Sequence, residues 1–225
     1  MVSHDLRTAV NSLKNNHAKL QKSYATQDYQ NMESFITSGG TMANGTYNLL
    51  DNLFQWAMLQ TKQAYFTIEP IKLYAIVEQV AYNYQGLFQD KGITFSNQLH
   101  KNTVVYVDQE TIKIILRNLI DNAIKYTDRG GFIKIYISNE THGQCELVIE
   151  DSGQGMNLEA LKLLSDDKGF SEARKNGYVK GSGLGLQLCR SMIYKNNGKF
   201  AIDSEVDKGT KITITLLNNQ SELNG

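Results

Sequence analysis

The sequence predicts two architectures in series. An all-α helical hairpin, expected to pair into a dimeric four-helix bundle, is followed by an α+β sandwich with a mixed sheet and helices on one face. Three observations lead there. Over roughly the first 60 residues, apolar side chains recur at alternating steps of three and four, the period of a bundle seam. The sole proline, Pro70, closes that pattern. Beyond it, short alternating strands are mixed with helices without strict alternation of the two.

The composition accommodates this plan. A chain of 225 residues with 41% hydrophobic content has room for one large or two modest domains. Lysine plus arginine and aspartate plus glutamate number 23 each, and this balance argues against a nucleic-acid partner. No run of about 18 apolar residues spans a membrane. The start, MVSHDLRTAV, lacks the basic and apolar segments of a signal peptide. Cys145 and Cys189 are distant and lack metal-ligand spacing, so reduced thiols and a cytoplasmic location are expected.

The first helix is predicted from Leu6, Val10, Leu13, His17, Leu20 and Tyr24, which places His17 on the packed seam. After the polar break ATQDYQ, the same steps run through Met32, Phe35, Gly39, Met42, Thr46, Leu49, Leu53 and Trp56. Two such helices bury too little alone, which is why a homodimer is expected. Gly39, Gly40 and Gly45 weaken the second helix and fit either a bend or a close helix contact. The expected divisions are 1–63 for the hairpin, 64–72 for a linker and first strand, 73–217 for the sandwich and 218–225 for a disordered tail. Within the sandwich, Leu73 to Phe88 reads as helix, and ITFSNQ and TVVYVD as short strands. Asp108 caps a helix running to about Lys125. GFIKIYIS and QCELVIED alternate as half-buried strands do, and a polar stretch from Leu164 to Lys180 shows no periodicity. A helix from about Leu184 to Lys195 and the strands GKFAIDSE and KITITLL complete it.

Three constellations carry chemistry. In RNLIDNAIKYT, helical geometry aligns Asn118, Asn122 and Lys125 on one stripe opposite the apolar side. That stripe suits either a solvated face or a site for a metal ion and nucleotide phosphates, an amide oxygen being a hard ligand for Mg²⁺. In EDSGQGM, Asp151 stands at a strand tip, and Gly153 and Gly155 let the backbone turn sharply. A buried carboxylate there can accept a hydrogen bond from an exocyclic amine such as that of adenine. In KGSGLGLQL, the glycines lead into a helix whose N-terminus favours phosphate. Its likeness to a dinucleotide fingerprint, with Asp203 downstream, fails because no strand precedes it; no GK[ST] follows, so it is no P-loop.

In order, the chain presents SHDLRT on a dimer-forming hairpin, an Asn-rich helix, DxGxG, GxGLGL and Lys208-Gly209-Thr210. That order resembles the catalytic core of a sensor histidine kinase of two-component systems, from Ser3 to about Leu217. The resemblance implies a sandwich of the histidine-kinase ATPase type, with ATP and Mg²⁺ as cofactors. It implies autophosphorylation of His4, then transfer to an aspartate of a response regulator receiver domain. It assigns His4, Asp5 and Thr8 to catalysis: phosphoacceptor, ring-orienting carboxylate, and the residue that orients a dephosphorylating water. It assigns Mg²⁺ to Asn122 with Asn118 beside it, and the nucleotide to Lys125 and Tyr126. Adenine falls to Asp151, with Gly153 and Gly155 shaping the pocket and Thr210 closing it. Gly181, Gly183, Leu184, Gly185 and Leu186 form the phosphate-side loop; Phe170 is the candidate for the lid phenylalanine, but the surrounding KGFSEA departs from the family's pattern. Two further features depart from the family: Ala9 stands where it usually has proline, and the lid is long and lysine-rich.

His4 lies about 200° around the helix from Leu6 and is expected to face solvent. His100 and His142 sit in polar loop-like stretches and receive no role. With the phosphoacceptor four residues in, the chain reads as the signalling end of a longer receptor, reaching a membrane only through segments outside this sequence. The rival enzyme is an ATPase of the same nucleotide-binding fold, which places a water-activating glutamate where Asn118 stands. The non-enzymatic rival is a degenerate module that only binds nucleotide.

Overall fold

The computed structural model describes residues 2–61, 66–166, 169, 172–173, 176–178 and 184–219. They form two compact units, Met1–Gln63 and Ala64–Gly225.

In the first unit, α1 (Val2–Ala25) and α2 (Tyr29–Thr61) form an antiparallel hairpin. Asp28 starts α2 by accepting the Asn31 N–H at 3.2 Å, and the Asn31 side chain adds a second bond at 2.6 Å. These bonds hold the Asp28 carboxyl below its ordinary pKa. On α1, Leu6, Ala9, Leu13, Asn16, Leu20 and Ser23 are buried or half-buried. The seam therefore alternates three and four as expected, but with half its members moved by one residue. His17 is exposed, as are Val10 and Tyr24, and Asn16 takes the inner place at 7% exposure. The reason is a satisfied amide. Asn16 Nδ2 donates to the Phe35 carbonyl at 2.9 Å, and Ser38 Oγ donates to Asn16 Oδ1 at 3.2 Å. Gly39 makes the room, since a Cβ there would lie 2.8 Å from Asn16 Nδ2. On α2 the expected inner residues Met32, Phe35, Gly39, Met42 and Thr46 are half-buried. A second stripe, including Ile36, Tyr47 and Phe54, is exposed.

The second unit runs β1 (Glu69–Lys72), α3 (Leu73–Tyr82), α4 (Gln85–Lys91), β2 (Thr94–Asn97), β3 (Val104–Val107), α5 (Gln109–Tyr126), β4 (Phe132–Glu140) and β5 (Gln144–Asp151). It continues with α6 (Leu158–Ser165), α7 (Leu184–Lys195), β6 (Lys199–Glu205) and β7 (Gly209–Leu217). The sheet order is β1-β3-β7-β5-β4-β2, with β6 also paired to β7. The β2–β4 pair is parallel and the others antiparallel, so the sheet is mixed as expected. Pro70 is accommodated because β1 lies at the sheet's edge, where a missing N–H costs no ladder bond.

Asp108 caps α5 by accepting the Thr111 N–H at 2.8 Å. The helix buries Ile112, Ile115, Leu116, Leu119, Ile120 and Ile124, a stripe of 3.6 period, and packs against α3 and α7. Burying each such side chain contributes about 1.5–3 kcal/mol, which fixes the rotation of α5 and hence the direction of its polar stripe.

Two local expectations change. The predicted helix from Leu73 to Phe88 is two helices broken at Asn83–Tyr84, and this lets Phe88 stack on Phe95 of β2 at 5.0 Å between centroids. Residues 158–165, given no element by the sequence reading, form α6, capped by Asn157 Oδ1 accepting the Ala160 N–H at 2.8 Å.

Candidate active site

Asp151 ends β5 at 8% exposure. Its Oδ1 accepts the Gly153 N–H at 2.8 Å, and the Thr210 N–H is a second donor. Burial pushes its carboxyl up to about 6, against the pull of those two donors and with a small push from Glu150. A carboxylate offers about four acceptor positions, so two backbone bonds fix its plane and leave capacity for a ligand amine.

The sheet register places its neighbours. Thr210 of β7 pairs with Asp151 on one side and with Ser204 of β6 on the other. Ser204, Thr210 and Asp151 thus form one row across three strands. The Ser204 and Thr210 hydroxyls lie 3.0 Å apart, and Ser204 Oγ donates to the Gly209 carbonyl at 2.8 Å. Ser204 was not anticipated from sequence; only the paired register reveals it.

The loop after Asp151 is stitched to α5, with the Gln154 N–H donating to the Tyr126 carbonyl at 3.1 Å. Gly155 has φ +62°, and a Cβ there would lie 1.9 Å from the Glu205 carbonyl oxygen, so no side chain fits. On α5, Asn118 and Asn122 are half-buried, Lys125 is exposed, and Asn118 Nδ2 donates to the Ile114 carbonyl at 3.0 Å. Lys125 Nζ lies 5.1 Å from the centroid of the half-buried Tyr126 ring. Half-buried Asp121, one residue before Asn122, has its carboxyl raised by burial, which outweighs the lowering pull of the Lys125 charge. Lys91, which no sequence signal marked, caps the helix end: its Nζ donates to the carbonyls of Ile124 at 2.6 Å and Thr127 at 3.0 Å.

Gly185 and Leu186 occupy the first turn of α7. Leu186, Met156, Leu163 and Tyr178 pack around buried Leu164 and Ala173, joining that turn to the segment after Gly155. The sequence-predicted segments around Asn122, Asp151, Leu186 and Thr210 therefore converge. Gly181, Gly183, Phe170 and the Leu184 side chain lie outside the described residues. His4, Asp5 and Thr8 lie on α1 in the first unit; Thr8 is exposed, and the side chains of His4 and Asp5 are outside the described set.

Residues 107–220 match the histidine kinase-, DNA gyrase B-, and HSP90-like ATPase family. The chain belongs to that family. Among curated proteins it is 25% identical over 221 residues to the adaptive-response sensory kinase SasA of Microcystis aeruginosa, covering 96% of this chain and 57% of that protein. It is 29% identical over 217 residues to the histidine protein kinase SaeS of Staphylococcus aureus, covering 96% and 61%. The chain thus spans about six-tenths of these relatives' length. Among solved structures, the Acinetobacter baumannii histidine kinase AdeS shares the fold at TM-score 0.70 and 21% identity, covering 96% of this chain and 98% of that one. The histidine kinase ThkA, solved with response regulator protein TrrA, does so at TM-score 0.72 and 17% identity, covering 98% and 61%. The helical hairpin followed by a mixed sheet with helices is therefore the architecture of known histidine kinases.

Proposed function

We propose that this chain is the catalytic core of a sensor histidine kinase. Its second unit binds ATP, His4 takes the γ-phosphoryl group, and an aspartate of a response regulator receiver domain then receives it. The observation that carries this reading is that the likeness to named histidine kinases runs over both units, the His4 hairpin as well as the ATPase sandwich.

In the proposed reaction, adenine's amine donates to Asp151, with Thr210 beside it and Gly153 and Gly155 shaping the pocket. Lys125 and Tyr126 meet the nucleotide, and the segment from Gly181 through Leu186 meets the phosphates, where the α7 N-terminus favours negative charge. A histidine of pKa about 6.5 is largely neutral and nucleophilic at pH 7. One imidazole nitrogen bonds to the γ-phosphorus as the bond to the bridging oxygen breaks and ADP leaves. Asp5 accepts a hydrogen bond from the other nitrogen and offsets the positive charge that develops. Thr8, one turn on, would orient water for removing phosphate from the regulator.

The donor chemistry fits Mg²⁺ arriving with ATP. Among the described residues there is no group of three or more His, Cys, Asp or Glu that could hold a metal ion. A neutral amide oxygen from Asn122 suits an ion that keeps several waters and is held mainly by phosphates, whose charge it neutralises. The hydrolytic rival is disfavoured by Asn118, an amide bonded to its own helix and unable to act as a general base. The exposed α2 stripe of Ile36, Tyr47 and Phe54 supports a homodimer, since pairing two hairpins would cover it. Among the described residues no helix is long and apolar enough to cross a membrane.

The test is incubation with γ-labelled ATP and Mg²⁺. Acid-labile label on the wild type and none on His4→Gln is the expected result. Free phosphate without labelled protein would favour the ATPase, and nucleotide binding without either product the degenerate module.

A further inference from the structure

The end of α5 carries carbonyls that need partners from outside the helix. A helix leaves its last four C=O groups without intrahelical donors. α5 also lacks the left-handed glycine that closes many helices, since Thr127 is extended at φ −82° and ψ 130°. Lys91, the last residue of α4, supplies donors instead. Its Nζ donates to the Ile124 carbonyl at 2.6 Å and to the Thr127 carbonyl at 3.0 Å. Its positive charge also meets the negative end of the helix dipole. The two bonds bracket Tyr126, whose own carbonyl serves a different segment. It accepts the Gln154 N–H at 3.1 Å, and a Cβ on Gly153 would lie 2.5 Å from the same oxygen. Gly153 is in turn the donor that holds Asp151 Oδ1. The Gln154 carbonyl accepts the Asp207 N–H at 2.9 Å, in the turn that leads to Thr210.

We propose that Lys91 is a positioning residue for nucleotide binding, holding the last turn of α5 so that the Tyr126 carbonyl seats the loop after Asp151. This role rests on the reading of Asp151 and its loop as the adenine site. It requires no contact between Lys91 and the ligand. The seat is tight, because the Gly153 backbone lies so close to the Tyr126 carbonyl that no Cβ fits between them. A hydrogen bond from a charged donor shifts an equilibrium by roughly tenfold or more. Without both bonds the last turn opens part of the time, and binding must first close it. The apparent affinity then falls by the fraction of chains that are closed.

Lys91→Met keeps an apolar stem and removes the donors, while Lys91→Arg keeps a charged group able to serve two acceptors. The full chain is studied at about pH 8, well above the Asp151 value of about 6. There the Kd for ADP is expected to rise about tenfold in Lys91→Met. Exchange of the Gln154 amide hydrogen, followed by NMR, should quicken about tenfold while the β5–β7 ladder amides hold. Lys91→Arg should bring both values back toward wild type together. A purely structural role lowers the unfolding midpoint and leaves both values unmoved, and that result overturns the proposal. So does a variant in which affinity falls with Gln154 still protected, or Gln154 opens with affinity intact. A wild type that binds no ADP, or binds it equally well as Asp151→Asn, overturns the adenine-site reading and this proposal with it. ADP binding that depends on Asp151 but is indifferent to Lys91→Met overturns the role of Lys91 alone.

Discussion

Asp151 shows how burial and hydrogen bonding compete at one carboxyl. Two backbone donors favour the ion, yet burial outweighs them and pushes the group up to about 6. An unfolded aspartate titrates near 4, so between about pH 4 and 6 the unliganded folded chain binds the extra proton. This group's contribution to stability therefore falls as pH rises through that window and is level above it. Binding runs the other way, because only the ion accepts adenine's amine at full strength. The affinity for ADP, taken as a ratio to Asp151→Asn, is expected to drop about tenfold per pH unit below about pH 6. Calorimetric titration from pH 5 to 8 checks this, and a flat ratio would count against the assigned partner. Asp151 was legible in the sequence because an alternating strand delivers it to a glycine turn. Lys91 was not, since its bonds to Ile124 and Thr127 join residues 33 and 36 positions apart and leave no local trace.

The hairpin gives the same lesson for whole helices. Alternating steps of three and four identified α1 and α2, but two such stripes share Leu6, Leu13 and Leu20. Hydropathy favoured the one through Val10 and His17. It cannot register that the Asn16 amide is satisfied by a carbonyl and a hydroxyl of the facing helix. Two glycines of α2 now separate in their expected effects. Gly39→Ala should destabilise the hairpin by about 1–3 kcal/mol, as its Cβ displaces a bonded buried amide. Gly45→Ala meets nothing within 4 Å and should stabilise it by about 1 kcal/mol through helix propensity. Urea unfolding followed by fluorescence of Trp56, the only tryptophan, reads both; equal signs would refute the packing argument. The missed α6 has a similar origin: its Asn157 cap follows a glycine turn, and a short amphipathic run carries little periodic signal.

For the molecule, the change of period around Pro70 made the two-part plan readable, while the lateral order of strands was not. That order depends on side chains meeting across long separations, as when β3 joins β7 at Tyr106 and Leu217. The exposed apolar stripe on α2 leads to the prediction at this scale. Ile36→Glu, at a position 60% exposed in the single chain, is expected to shift sedimentation from dimer to monomer; a wild type that sediments as a monomer would remove the argument. The row Ser204–Thr210–Asp151 also determines where the chain tolerates a change in length. Residues added between α6 and α7 leave the row in register, because no member of it lies there. One residue deleted inside β7 turns the remaining side chains to the opposite face and parts Thr210 from both neighbours. Divergence in length belongs to the segment before α7, and the strands that carry the row must keep theirs.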